Sequence, residues 1–279
     1  MQEVAVETLP DDVPEFFTQA KERIVGLASQ PDRWKTRGLN YLSGATAMDH
    51  FMAFEQIQGH DLPEDRYDYI SMIEREGINA PGQAPKWVGT LPYRVAELYQ
   101  NLTLDFAIWR NEGQDLPSDD SRRKALEENV LMSAGLLGHY VGDAAQPLHS
   151  TVHHDGWNPA AEPNPNGYRT RRGLHREFET KFLNEVANEE QVHERVGPAH
   201  QFAGDPLDWG LGLIAESNTQ VEKLYQLEQS GDIDPDHPSA EGVDFLHDRM
   251  AVGAENLRDL WFTAWRESKR LARRLQRPK

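Results

Sequence analysis

Apolar residues recur along most of this chain at three- and four-residue spacing, the period that places them on one face of a helix. Residues 14–29 carry Phe16, Phe17, Ala20, Ile24 and Leu27 behind an acidic LPDDVP turn. The same spacing runs through 66–76 and 91–109, where Pro92 suits a first helical turn because its missing N–H is not needed there. Residues 121–145 are the most regular, with Leu126, Val130, Leu131, Ala134, Leu137 and Val141 in register. Asp119, Asp120 and Ser121 offer caps at the start, and Pro147 closes the helix before His149. Further helices are predicted at 174 to about 196, 207–229 and 243–275. Only residues 51–57 alternate like a strand, and weakly. The pattern predicts an all-α protein.

One stretch breaks the rhythm. Residues 149–173, HSTVHHDGWNPAAEPNPNGYRTRRG, are dense in Pro, Asn and Gly and read as an irregular loop between two helices. A loop of that length inside a helical domain is more often functional than idle. No linker, low-complexity tract or fixed-period repeat divides the chain, so residues 1–279 are expected to form a single domain. No apolar run is long enough to span a bilayer, and the start lacks the basic and apolar regions of a signal peptide.

Charge and cysteine narrow the chemistry. A net charge of −17 argues against a nonspecific duplex-DNA binder. It would also repel a phosphate ester unless metal ions or local arginines, with Arg169, Arg171 and Arg172 as candidates, reverse the field. Cysteine is absent, so any metal must be held by His, Asp and Glu, a donor set better suited to a catalytic than a structural zinc. With 11 His and 46 acidic residues among 279, chance supplies about two His-x3-acid pairs. Four occur: His60–Glu64, His139–Asp143, His175–Glu179 and His237–Glu241. Pro63 and Pro238 argue against a helix interior at the first and last. The other two lie in predicted helices, where i and i+4 side chains share a face and can present a nitrogen and a carboxylate to one ion. His149 follows the first of them on a turn. Together these residues form a candidate metal constellation drawn from two helices and the loop between them.

HYVGDAAQPLH, then HHDGWN, then GLHREFE resembles the zinc-dependent family that contains the fungal single-strand-specific nucleases (the S-one/P-one family) and bacterial zinc phospholipase C. The likeness is strongest over residues 137–180. It implies an all-α fold with zinc ions in a cleft and hydrolysis of phosphate esters. By the resemblance, His139 and Asp143 are ligands of a first zinc, with Asp143 bridging to a third. His149, His175 and Glu179 are ligands of a second zinc. AMDHFMAFE resembles the segment that gives the first zinc a further histidine, here His50, with His60 as the rival. The family's preceding aspartate matches Asp32 in ASQPDRWK, and Lys35 stands where the nucleases place a basic residue near the phosphate. Asp155 and Asn158 resemble the nuclease branch's substrate-binding segment, with Trp157 in place of a small residue. Trp157 and Tyr168 are candidate stacking platforms.

One departure affects the third zinc. The family holds it with an amino-terminal tryptophan and a nearby histidine, whereas this chain starts Met-Gln-Glu and has no histidine before His50. The start therefore reads as truncated, and two zinc ions are expected with the third in question. His153 and His154 are the local candidates to replace a missing imidazole. The expected activity is hydrolysis of single-stranded DNA or RNA, with nucleotides as a related substrate. The resemblance also implies secretion or periplasmic export, and it implies no stable protein partner. The rival expectations are a zinc phospholipase C and a noncatalytic zinc-stabilised helical protein.

Overall fold

A computed structural model of the chain describes residues 1–79 and 84–276. Among the described residues the regular structure is helical, and β pairing is limited to isolated bridges such as Met52 with Gly89. The framework consists of the helices Leu91–Glu112, Ser121–Ala145, Pro206–Thr219 and Ala240–Leu275, packed on one another. No described helix is long and apolar enough to cross a membrane.

Local chemistry explains where these helices start and stop. The Asp120 carboxylate accepts the N–H groups of Arg122 and Arg123, satisfying donors that the first turn of Ser121–Ala145 leaves free. Its apolar stripe then meets the stripes of its neighbours. Trp261 is buried and donates its indole N–H to Ala134 O at 3.3 Å, while Phe17 lies between Phe106 and Trp261 at centroid separations of 5.6 and 5.4 Å. A second apolar cluster, with Leu148, Trp157, Tyr168, Phe178, Tyr225 and Phe245, lies beneath the long loop.

Several predicted elements are subdivided. The 14–29 helix separates into Glu15–Thr18 and Lys21–Leu27, with Ala20 out of helical conformation at ψ 24°. The 207–229 helix bends at Gln220 into Pro206–Thr219 and Val221–Ser230. Residues 174–196 form a short α-turn, Leu174–Arg176, which widens into a π-helix over Glu177–Phe182 and tightens again over Leu183–Val186. A separate helix, Glu189–Arg195, is capped by Asn188. The 51–57 segment is not a strand. It crosses the molecule in extended form and enters the helix Phe54–Ile57.

That crossing segment fixes one side of the site. Its backbone is fastened on both flanks: Met52 N–H to His149 O at 2.8 Å, Phe54 N–H to Ser150 O at 3.1 Å, and Ala53 N–H to Val88 O at 2.7 Å. Gly89 permits this close approach. Its φ is +89°, and a Cβ there would lie 2.0 Å from Phe51 O. Gly89→Ala is therefore expected to destabilise the fold by about 1–3 kcal/mol. Gly26→Ala, inside the helix Lys21–Leu27 with nothing within 4 Å of its Cβ, should stabilise it by roughly 0.5–1 kcal/mol. Urea unfolding of the two variants checks both signs.

Candidate metal centre

Two groups of potential ligands lie between a cleft of about 830 Å³, lined by Asp32, His50, His149, His175 and Glu179, and an adjoining recess of about 270 Å³, lined by Asp32, His139, Asp143 and Glu179. The first contains Asp32, His50 and His139, whose donor atoms all lie within 4.8 Å of one another. His139 Nε2 stands 3.0 Å from His50 Nδ1 and 3.9 Å from Asp32 Oδ1. Asp143 closes this group, its Oδ2 lying 3.0 Å from His50 Nδ1 and 3.2 Å from His139 Nε2. The second group is His149, His175 and Glu179. Its Nε2 atoms are 3.1 Å apart, and Glu179 Oε2 lies 3.3 Å from His149 and 2.5 Å from His175. The groups are joined by Asp143, whose Oδ1 is 3.8 Å from His149 Nδ1.

The ring orientations in the second group are fixed by backbone carbonyls. His149 Nδ1 faces His50 O, and His175 Nδ1 faces His154 O at 3.1 Å. A carbonyl oxygen only accepts, so each Nδ1 must carry a hydrogen and each neutral ring must present a lone pair at Nε2. Those lone pairs face one another beside a carboxylate, an arrangement that is repulsive without a cation between or upon them. The separations also match the ligand–ligand edges of about 3.3 Å around a small divalent ion with bonds of about 2.0–2.1 Å. The donors therefore fit a metal ion.

The titration behaviour expresses the same demand. Burial disfavours charge on His149, yet Asp143 and Glu179 outweigh it and raise the imidazole pKa to about 9. Burial likewise opposes ionisation of Glu179 and Asp143, but the neighbouring histidines hold both carboxyls well below their usual range. His50, further from any carboxylate but Asp143, is pushed down by burial.

Each ligand is delivered by identifiable packing. The helix Lys21–Leu27 packs on Ser121–Ala145 and passes into Gln30–Trp34, bringing Asp32 toward His139. The 3-10 turn Ala47–His50 is anchored by fully buried Asp49, which accepts from Thr90 Oγ1 at 2.8 Å, Arg94 Nε at 2.9 Å and Arg66. The end of Ser121–Ala145 is held by Arg249, which donates to Ala145 O at 3.0 and 3.1 Å, and by Ser217, which donates to Ala144 O at 2.7 Å. These satisfy carbonyls that a helix end leaves free, so the chain can turn at Pro147 inside the protein and present His149. Arg249 comes from a helix about a hundred residues away, and nothing in its local sequence marks that role.

Several predicted residues are placed differently from expectation. Asp155 lines the cleft, but its carboxylate accepts from Gly173 N at 2.7 Å, His175 N at 3.3 Å and Arg172 Nε at 3.0 Å. It thus positions the turn that carries His175 and is not free for a substrate. Asn158 lies away from the cleft lining, with its Oδ1 accepting from Ala160 N. Trp157 and Tyr168 are buried in the second apolar cluster and offer no open face. His153 stacks on Trp157 at 3.9 Å, and its Nδ1 accepts from Asn158 N. His154 contributes a carbonyl to His175, and neither residue joins a ligand group. His60 pairs with Glu76, outside both groups. Arg169 is occupied by Glu177 and Glu228, and of the three loop arginines only Arg172 lines the cleft. Lys35 also lines it, 2.6 Å from Asp32.

An aromatic wall was not anticipated. Phe51 and Trp87 stack at 6.0 Å with an interplanar angle of 17°, and both line the cleft. Trp87 is 43% exposed. No family model matches the sequence, and no curated protein matches it.

Two outcomes follow. Metal binding must displace the proton that His149 holds at neutral pH, because its pKa lies above 7. Titration calorimetry at pH 7.5 in buffers of different ionisation enthalpy should show release of about one proton per chain, falling as pH rises past 9. Asp155→Ala should weaken divalent-metal affinity by about 10–100-fold while helical circular dichroism is retained.

Proposed function

We propose that the chain is a zinc-dependent phosphodiesterase of the single-strand nuclease type, with the all-α fold shared by those nucleases and zinc phospholipase C. The observation that carries this reading is the meeting of two His/carboxylate groups around buried Asp143, beside an open cleft. Imidazole and carboxylate without thiolate is a donor set that suits zinc. When bound, such ions supply Lewis acidity and activate water near neutral pH.

The remaining work falls to the chain's own residues. Asp143 sits between the groups, where it orients His50 and His139 and balances positive charge. His149, His175 and Glu179 leave the cleft side of their group open, as a catalytic site requires. Asp32 is the most exposed of the carboxylates and holds Lys35 against the cleft wall, so the ammonium can meet phosphoryl oxygens. Arg172 also lines the cleft, where it is paired with Asp155. The Phe51–Trp87 wall supplies a planar apolar surface for an unpaired base, and it takes over the part that Trp157 and Tyr168 cannot play. Export from the cytoplasm belongs to the same proposal.

Elemental analysis of purified protein should find at least two zinc ions per chain. Release of mononucleotides from single-stranded DNA or RNA should disappear with a chelator and return with zinc. Retention of no metal would overturn the proposal. Hydrolysis of phosphatidylcholine without cleavage of oligonucleotides would move the protein to the phospholipase branch.

A further inference from the structure

The distribution of charge around the cleft differs from that of the whole molecule. In a protein of net charge −17, residues 33–48 contain Arg33, Lys35 and Arg37 and no acid. All three cations are exposed, and among the described residues neither Arg33 nor Arg37 has a carboxylate within ion-pair distance. The next turn of the chain presents Tyr41, which is 98% exposed. Lys35 and Trp87 line the metal cleft, while Gly44 and Ala45 border a smaller recess with Lys86 and Gly89. Residues 33–48 thus border the cleft through Lys35 and Ala47 and the recess through Gly44, Ala45 and Met48, so the segment adjoins the turn Pro85–Val88; Arg66 and Glu74 also line the recess. Lys86 stands 5.6 Å from the Trp87 ring, so that turn too combines a cation with an open aromatic.

We infer that Arg33, Arg37 and Tyr41, together with Lys86 and Trp87, form a guiding track that holds single-stranded nucleic acid outside the cleft. The inference rests on the phosphodiesterase reading and adds how a long substrate is retained. Cations alternating with open aromatic faces suit a backbone that carries one charge per nucleotide and bases that are free to stack. A duplex keeps its bases stacked on each other and gains nothing from Tyr41. An anionic bilayer would press a broad plane against the surrounding acidic surface. At physiological salt, charges interact over about 8 Å, so a narrow flexible strand can follow the basic strip and avoid the rest.

The test uses the full-length triple variant R33Q/R37Q/Y41A, whose positions are exposed and are not members of either ligand group. Two substrates are compared: a single strand of about 20 nucleotides and the small diester bis(p-nitrophenyl) phosphate. The variant should raise KM for the strand about tenfold and leave kcat/KM for the small diester unchanged. Fluorescence anisotropy with the labelled strand and a chelator should show the slope of log affinity against log salt reduced by about 1.4. Unchanged strand KM and unchanged salt slope would overturn the track. So would loss of binding to phosphatidylserine vesicles with strand binding intact. If the wild type hydrolyses neither substrate, the phosphodiesterase reading fails, and the anisotropy series still decides whether the track binds a strand.

Discussion

Two imidazoles whose Nδ1–H groups are committed to backbone carbonyls must turn their Nε2 lone pairs on each other, and the site is built around that constraint. His149 and His175 come from opposite ends of a long loop and meet at 3.1 Å beside Glu179. Left alone, such an arrangement would repel. It persists only if a proton or a metal ion occupies the region that the lone pairs share. The carbonyls that impose it belong to His50 and His154, so the backbone of the first ligand group sets the orientation of one ring, His149, in the second. His50 thus acts twice: its ring joins His139 and Asp143, and its carbonyl fixes His149.

Holding seven ring and carboxylate donors this close is costly for the fold, and the surrounding packing shows how it is sustained. A helix that ended on its own at Ala145 would leave carbonyls buried without partners. Arg249 and Ser217 satisfy them, and Glu216 balances the buried guanidinium. On the other side, Asp49 is surrounded by Arg66, Arg94 and Thr90, which pins the turn that bears His50. Both anchors are charged groups paired in the interior. Removing one partner would leave the other buried and unpaired, so the ligand geometry is coupled to the integrity of the core.

What could be read in the sequence was what local chemistry controls. The Ser121–Ala145 helix was legible to its ends because Asp120, the apolar stripe and Pro147 are all local signals. The His-x3-acid pairs were legible as candidates, and the structure brings Asp32, His50, His139, Asp143, His149, His175 and Glu179 together in two adjoining groups. The remainder depended on contacts between distant segments. Trp157 and Tyr168 looked available because they lie in a polar loop, yet Tyr225 and Phe178 from later elements bury that loop's aromatic side chains. The Phe51–Trp87 wall pairs residues that no periodicity connects. Asp155 shares its residue type with a substrate contact and serves instead to tie Gly173 and His175, a distinction set by which backbone N–H groups fold back onto it. The π-turn at Glu177–Phe182 likewise leaves no simple mark on the apolar spacing.

The excess of negative charge gains meaning from this arrangement. A uniformly acidic surface would oppose any phosphate-bearing ligand, but charges more than about 8 Å apart are largely screened at physiological salt. The field felt at the cleft is therefore the local one. There the carboxylates Asp143 and Glu179 are already offset by histidines, and Asp32 by Lys35. Residues 33–48 add cations without a single acid. Global repulsion then disfavours broad anionic surfaces, while the approach to the ligand groups stays open to a narrow anionic chain. The whole molecule and the segment 33–48 thus carry charge of opposite sign and act on different partners.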